Sequence, residues 1–410
     1  MHGRSPDISE RPAIAGGTAI RTRDRFLVFG APVLGEPERR AVLDCLDRRW
    51  IGTGPRASEF EQRFAARKNV EHAVAVNSCT AALQLALMAI GIGPGDEVVI
   101  PAMTFVSAAN AVIHTGGTPV LADCDPRTLN VTAETIEPCL SPRTRAVMVV
   151  HMAGRCCDMD PILEISEERG IPVIEDCAHA IESTYRGRPA GTMGVVGCFS
   201  FYATKNITSA EGGMVITSDA GVADAVRMLA NHGMDANAWR RFSDEGYRHY
   251  VARAIGYKFN MPDLCAAIGL AQLDRLDGHA ARRAEIWAHY DKVFEDLPLD
   301  LPLPPEEETT HARHLYSPLL HVRELGVSRD WVLEALAAEG IGVGVHYHPV
   351  NWHEAHAGLP APGGTKHAWR VGEATLSLPL SGGMTDEDVA DTALAFHRIM
   401  RYTAHVGREA

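Results

Sequence analysis

Between Glu36 and Arg67 apolar positions recur at intervals of three and four: Val42, Leu43 and Leu46, then Phe60 and Phe64. That spacing predicts two amphipathic helices. The Gly/Pro turn Trp50-Ile51-Gly52-Thr53-Gly54-Pro55 parts them. Behind them the period changes. Short apolar runs at Ala73–Val76, Glu97–Ile100, Thr118–Leu121, Ala146–Val150 and Val173–Asp176 alternate with helical patterns at Thr80–Ile90, Ser107–His114 and Ile162–Glu168. Such alternation predicts a parallel sheet covered by helices on both faces. Two more strands are expected at Cys198–Phe201 and Gly213–Ile216, followed by helix from Leu264 through Leu276 to Phe294. A Pro- and Glu-rich shift over Leu297–Glu308 reads as a linker. Strands at Leu315–Val322 and Gly344–Tyr347 and helices at Trp331–Glu339 and Asp386–Met400 are expected behind it. The expected architecture is α/β. A large domain over 26–275 carries a mainly parallel central sheet, a smaller C-terminal α/β domain spans 276–410, and a polar, Arg-rich flexible arm covers 1–25.

Composition narrows the function classes. A chain of 410 residues suits two or three domains, and 46% hydrophobic content excludes a disordered chain. A formal charge of −13 argues against a nucleic-acid partner. No apolar run reaches the ~18 residues of a membrane span, and the start Met1-His2-Gly3-Arg4 lacks the apolar stretch of a signal peptide. Nine cysteines without a C-x-x-C pair read as free thiols, which fits a cytoplasmic protein.

Three places carry candidate chemistry, all just after strands, where ligands of parallel sheets bind. In Asn77-Ser78-Cys79-Thr80 a strand turns into a helix, whose free N–H groups and partial positive charge can cradle a phosphate. Ordinary capping by Ser78 or Thr80 reads the same way. Asp176 closes a buried strand and needs a cationic partner, either a buried Arg or the protonated ring nitrogen of a pyridinium cofactor. His179 follows one short turn later. Lys205 lies between a strand and the small, polar loop Asn206–Gly213; it is either a surface lysine or a Schiff-base nucleophile. Phosphate cradle, then Asp, then Lys is the order a pyridoxal-phosphate enzyme needs. The stretch His346–His356 lacks the H-E-x-x-H pattern, and no metal is expected there.

The motifs Trp50–Pro55, Asn77–Ala82, Gly93–Val98, Thr104–Val106, Glu175–Ala180, Ser200–Asn206 and Ala266–Leu273 together resemble the DegT/DnrJ/EryC1/StrS family of sugar aminotransferases, within fold type I of the pyridoxal-phosphate enzymes. The resemblance implies pyridoxal 5'-phosphate as cofactor and Lys205, Asp176 and His179 as catalytic residues. Lys205 carries the cofactor's aldehyde, Asp176 pairs with its ring nitrogen, and His179 lies near its ring. It further implies Phe105 as the stacking aromatic and Cys79, Thr80 and Ser200 as phosphate ligands. Lys258 or Asn260 would reach the phosphate of a second subunit, so a homodimer with shared sites is expected. Thr53 and His346 are the implied substrate-side residues. His179 and the segment Ser209-Ala210-Glu211-Gly212-Gly213 are similar to members that aminate C4 of nucleotide-linked 4-keto-6-deoxy sugars with L-glutamate as donor. A cyclitol or aminoglycoside-ring aminotransferase is the nearer alternative, since Ala15–Thr22 resembles some of those, and a non-catalytic sensor on this fold is the farther one.

Overall fold

The computed structural model describes residues 11–234 and 251–406. Helices α1 (Glu36–Asp47) and α2 (Pro55–Lys68) form where the apolar spacing placed them, with Pro55 at the start of α2. The alternating region gives β1 (His72–Val76), α3 (Cys79–Ala89), β2 (Glu97–Pro101), α4 (Ser107–His114), β3 (Thr118–Ala122), the short α5 (Ala133–Ile136), β4 (Thr144–Val150), α6 (Met159–Arg169) and β5 (Val173–Asp176). A two-residue hairpin pair, β6 (Thr184–Tyr185) and β7 (Arg188–Pro189), precedes β8 (Val196–Ser200) and β9 (Gly213–Thr217). Then come α7 (Ala220–Ala230), α8 (Asp263–Leu273) and α9 (Leu276–Val293).

Seven strands form one sheet in the order β1-β9-β8-β5-β4-β2-β3. Strand β9 runs antiparallel to both of its neighbours, and the remaining pairs are parallel. Side chains alternate between two cores, as the pleat requires. Val74, Val76, Ile100, Met148, Ile174 and Val215 meet α3, α4 and α7 on one face. Ala73, Ala75, Val99, Val147, Phe199 and Met214 meet α2, α6 and α8 on the other. Both faces are covered by helices, and Asp176 and Ser200 stand at strand ends on the sheet's carboxyl edge, where ligands of such sheets bind.

A third core gathers residues from Ile286 to Met400. It holds β10 (Leu299–Asp300), β11 (Leu319–Leu320), α10 (Val322–Leu325), α11 (Arg329–Ala338) and α13 (Asp386–Val406), whereas α12 (Lys366–Ala374) packs through Ala368 and Val371 on the first core. The strands expected at Leu315–Val322 and Gly344–Tyr347 do not form as such. The first shrinks to two residues paired with β10, and the second makes a single bridge, Gly344 to Ser377. Pro318 interrupts the first segment and removes a ladder donor, and Pro349 follows two residues behind the second.

The polar stretch read as a flexible arm is, from Arg11 onward, bound to this third core; residues 1–10 lie outside the described residues. Glu339, fully buried, accepts from the backbone N–H groups of Ala13 and Ile20, each at 3.0 Å, and from Arg398 Nη1 at 3.3 Å. Arg21 pairs with Asp388 at 2.6 Å. Leu27 bonds to Gly340 and Gly342, which sets Phe29 and Gly30 over the sheet's carboxyl edge. The arginines that gave the stretch its solvated character are used as anchors.

Candidate active site

A cavity of about 480 Å³ lies at that edge, between the sheet and residues of the third core. It is lined by Ser78, Cys79 and Thr80 from the start of α3, Phe105 before α4, Asp176 and His179 after β5, and Ser200 and Lys205 after β8. His346 enters from the other side. Eight of the expected site residues thus converge, though they come from segments far apart in the chain.

Helix α3 begins because Ser78 caps it, its side chain accepting from Ala81 N–H at 3.1 Å. The N–H groups of Cys79 and Thr80, in the first turn, have no acceptor inside the helix. Strand β9 approaches this end so closely that a Cβ on Gly213 would stand 2.5 Å from the Ser78 carbonyl. The result is a tight, donor-rich corner suited to an anion.

Asp176 uses one oxygen for the protein. Its Oδ1 accepts from Ala178 N–H at 2.9 Å and from the Cys79 thiol at 3.9 Å. Burial raises its pKa, while the Ala178 bond and the charge of Lys205 oppose the rise. Burial also holds the Cys79 thiol protonated, so it acts as a donor. The Oδ2 atom of Asp176 takes part in no hydrogen bond among the described residues. Lys205 stands in a turn closed by its N–H to Tyr202 at 3.0 Å. Burial lowers its pKa to about 8, against the pull of Cys79 and Asp176. The next carboxylate back, Glu175, is fully buried and held by His151 Nε2 at 2.9 Å and by the N–H groups of Gly191, Met193 and Gly194. It anchors the end of β5 on which Asp176 sits.

Phe105 is 55% exposed beside Tyr347, at 5.8 Å between ring centres. A large apolar ring left open inside a cavity is a platform for a planar ligand. His179 accepts from Ala153 N–H at Nδ1 (3.3 Å) and meets the Tyr347 hydroxyl at Nε2 (3.1 Å). His346 bonds through Nδ1 to Ser377 Oγ at 2.8 Å, and burial pushes its pKa down to about 3.

Three expected residues stand elsewhere in the chain. Thr53 and Asn260 line a separate cavity of about 370 Å³ with Trp50, Glu61 and Arg227. Thr53 donates to Met261 O at 2.6 Å and accepts from Asn260 Nδ2. Asn260 Oδ1 is buried without a partner. Lys258 lines neither cavity; its backbone pairs with Asn231. Conversely, sequence reasoning passed over Tyr347, His314, Phe29 and Thr204, all of which line the Lys205 cavity. The signal for Tyr347 was its place beside His346. For His314 it was a polar residue at the head of an apolar run. The remaining histidines of the 346–356 stretch scatter: His348 stacks on Trp352 at 4.1 Å, and His356 bonds Asn110 at 2.8 Å.

A sequence model of the DegT/DnrJ/EryC1/StrS aminotransferase family matches residues 32–396. The spore coat polysaccharide biosynthesis protein SpsC of Bacillus subtilis is 43% identical over 391 residues, covering 93% of this chain and 99% of that protein. The putative sugar aminotransferase Spr1654 of Streptococcus pneumoniae, solved in its PMP form, superposes with a TM-score of 0.86 at 30% identity, over 93% of this chain and 100% of its own. DesI, solved with its TDP-sugar product, gives a TM-score of 0.85 at 31% identity, over 96% of this chain and 97% of its own.

Proposed function

The chain belongs to the DegT/DnrJ/EryC1/StrS aminotransferase family, a pyridoxal-phosphate-dependent family of sugar aminotransferases, and on that premise we propose that it moves an amino group from L-glutamate to C4 of a nucleotide-linked 4-keto-6-deoxy sugar. The observation that carries the reading is the meeting of three groups in one cavity. These are a buried amine with its pKa near 8, a carboxylate with one oxygen free, and a helix end with open N–H groups. A pyridoxal phosphate fits that donor set: its phosphate suits the N–H groups of Cys79 and Thr80 with Ser200, its ring nitrogen suits Asp176 Oδ2, and its ring face suits Phe105. When bound, the cofactor supplies an electron-poor ring that stabilises negative charge at the donor's α-carbon. Lys205 Nζ would hold the cofactor and, as a neutral amine, would be the group that takes the proton from that α-carbon. Asp176 keeps the ring nitrogen protonated. His179 Nε2 orients the Tyr347 hydroxyl, whose own proton faces the cavity.

His179 and the Ser209–Gly213 segment favour C4 over C3. The relation to DesI, solved with a TDP-sugar, favours a nucleotide-linked acceptor. His346 lies where a sugar would enter. The large domain of 26–275 and small domain of 276–410 would close around it. Thr53 and either Lys258 or Asn260 would serve the site of a second copy, in a homodimer. Asn260 Oδ1, buried without a partner in this chain, supports that assignment.

The test is an absorption spectrum of the cofactor-loaded protein. L-Glutamate should abolish the visible band, and a 4-keto-6-deoxy nucleotide sugar should restore it with formation of the amino sugar. A band indifferent to glutamate and glutamine would reject the donor class. Restoration by a cyclitol ketone but by no nucleotide sugar would reject the acceptor class. Lys205→Ala should lose multiple turnover altogether.

A further inference from the structure

Two histidines of the cavity are held in opposite tautomers. His179 Nδ1 accepts from Ala153 N–H, so its proton sits on Nε2, facing Tyr347. His314 is 4.5 Å away, ring centre to ring centre, and is fixed the other way. The buried Arg283 guanidinium donates to one oxygen of Glu182. Asn206 Nδ2 donates to the other oxygen at 2.8 Å and to Ala312 O at 3.1 Å. Carboxylate and carbonyl can only accept, so the orientation of the Asn206 amide is forced. Its Oδ1 therefore faces His314 Nδ1, at 2.9 Å, and that nitrogen must carry the proton. Burial, together with the nearby Lys205 charge, keeps the ring neutral. A neutral ring protonated at Nδ1 has a bare lone pair at Nε2. Among the described residues Nε2 has no hydrogen-bond partner, and His314 lines the Lys205 cavity.

We propose that His314 Nε2 accepts a hydrogen bond from a hydroxyl of the sugar substrate, and that Arg283, Glu182 and Asn206 are positioning residues that keep it an acceptor. The inference rests on the ketosugar reading above. A lone pair repels the carboxylate oxygens of an amino-acid donor, so this group serves the sugar half of the reaction. It would discriminate against a sugar lacking that hydroxyl, because an unmet acceptor in a desolvated site penalises the complex.

The experiment uses the full-length, cofactor-loaded protein and measures the two half-reactions separately by stopped flow. His314→Phe should lower kcat/KM of the sugar half-reaction by about a hundredfold, and should lower the glutamate half-reaction at least about tenfold less. His314→Gln, which returns an acceptor oxygen near the Nε2 position, should recover most of the loss. Equal losses in both halves with the visible band intact, or no loss, would overturn the proposal. Histidine 15N NMR gives a second readout. A His314 signal with protonated Nδ1 and bare Nε2, missing in the Gln variant, is expected, whereas a protonated Nε2 overturns the assignment. Asn206→Ala should let the two tautomers mix, and an unchanged spectrum would remove Asn206 from its role. If the wild type aminates no ketosugar, the functional reading fails and takes this one with it. If it does and the half-reactions fall together, this one alone fails.

Discussion

The surroundings of Lys205 disfavour the ammonium form, which suits the nucleophilic role proposed for it. Burial outweighs the opposing charge of Asp176 and brings its pKa from 10.5 to about 8. The neutral amine is the reactive form, so uptake of pyridoxal phosphate by the cofactor-free protein should quicken with rising pH up to about 8 and level off above it. A rate that keeps climbing toward pH 10 would show an ordinary lysine. Glu61, in the second cavity, shows the opposite effect on a carboxyl. Burial raises its pKa from 4.5 to about 7, although Ala75 N–H at 2.8 Å and Arg227 oppose it. A folded-state pKa above the unfolded one means the folded chain holds the proton more tightly. Its stabilising contribution is present below pH 4.5 and is lost as pH rises through about 7. Glu61→Gln should therefore leave Tm nearly unchanged at pH 5 and raise it at pH 8, as read by thermal unfolding. A lower Tm at pH 8 would contradict the burial argument.

At the scale of elements, the site depends on how closely β9 packs against the start of α3. Gly213 permits that approach, with no room for even one methyl group beside Ser78 and Cys79. Gly213→Ala should push the helix end away, at a cost of about 1–3 kcal/mol in urea unfolding, and weaken cofactor binding by about tenfold or more. Wild-type affinity by equilibrium dialysis would show that the phosphate corner lies elsewhere. The strands of the third core teach a different lesson. Runs such as Leu315–Val322 have apolar character enough for a strand, yet their prolines cannot donate to a ladder. They pack as extended segments joined by single bridges.

For the whole molecule, the N-terminal stretch ties the third core to the cavity. Glu339 receives donors from Ala13, Ile20 and Arg398, and Leu27, held by the chain just after it, hands on to Phe29 and Gly30 at the cavity wall. Glu339→Ala removes one half of a buried ion pair and should cost about 3–5 kcal/mol in urea unfolding. A loss under about 1 kcal/mol, the range of exposed pairs, would mean the clasp is incidental. The proposed homodimer makes its own prediction. Lys205→Ala and Asn260→Ala chains, each inactive alone, should recover on dissociation and mixing, toward about a quarter of wild-type activity for shared sites in a two-fold dimer. No recovery would place Asn260 outside the shared site.

The order of the main elements through β9, and eight of the residues that line the Lys205 cavity, were legible in the chain alone. The reason is local. Period-two and period-3.6 apolar patterns report which face each segment buries, and ligands of such sheets gather at strand ends, where Cys79, Asp176 and Ser200 stand. Local patterns carry no information on which segments become neighbours. Only the tertiary structure turned β9 antiparallel, bound the arginine-rich stretch to Glu339, and parted Thr53 and Asn260 from Lys205. It also brought His314 and Tyr347 from the later part of the chain to the cavity, and it set the two histidine tautomers. A tautomer is chosen by the hydrogen-bond partner across the ring, and those partners, Ala153 and Asn206, belong to segments far from the histidines they orient.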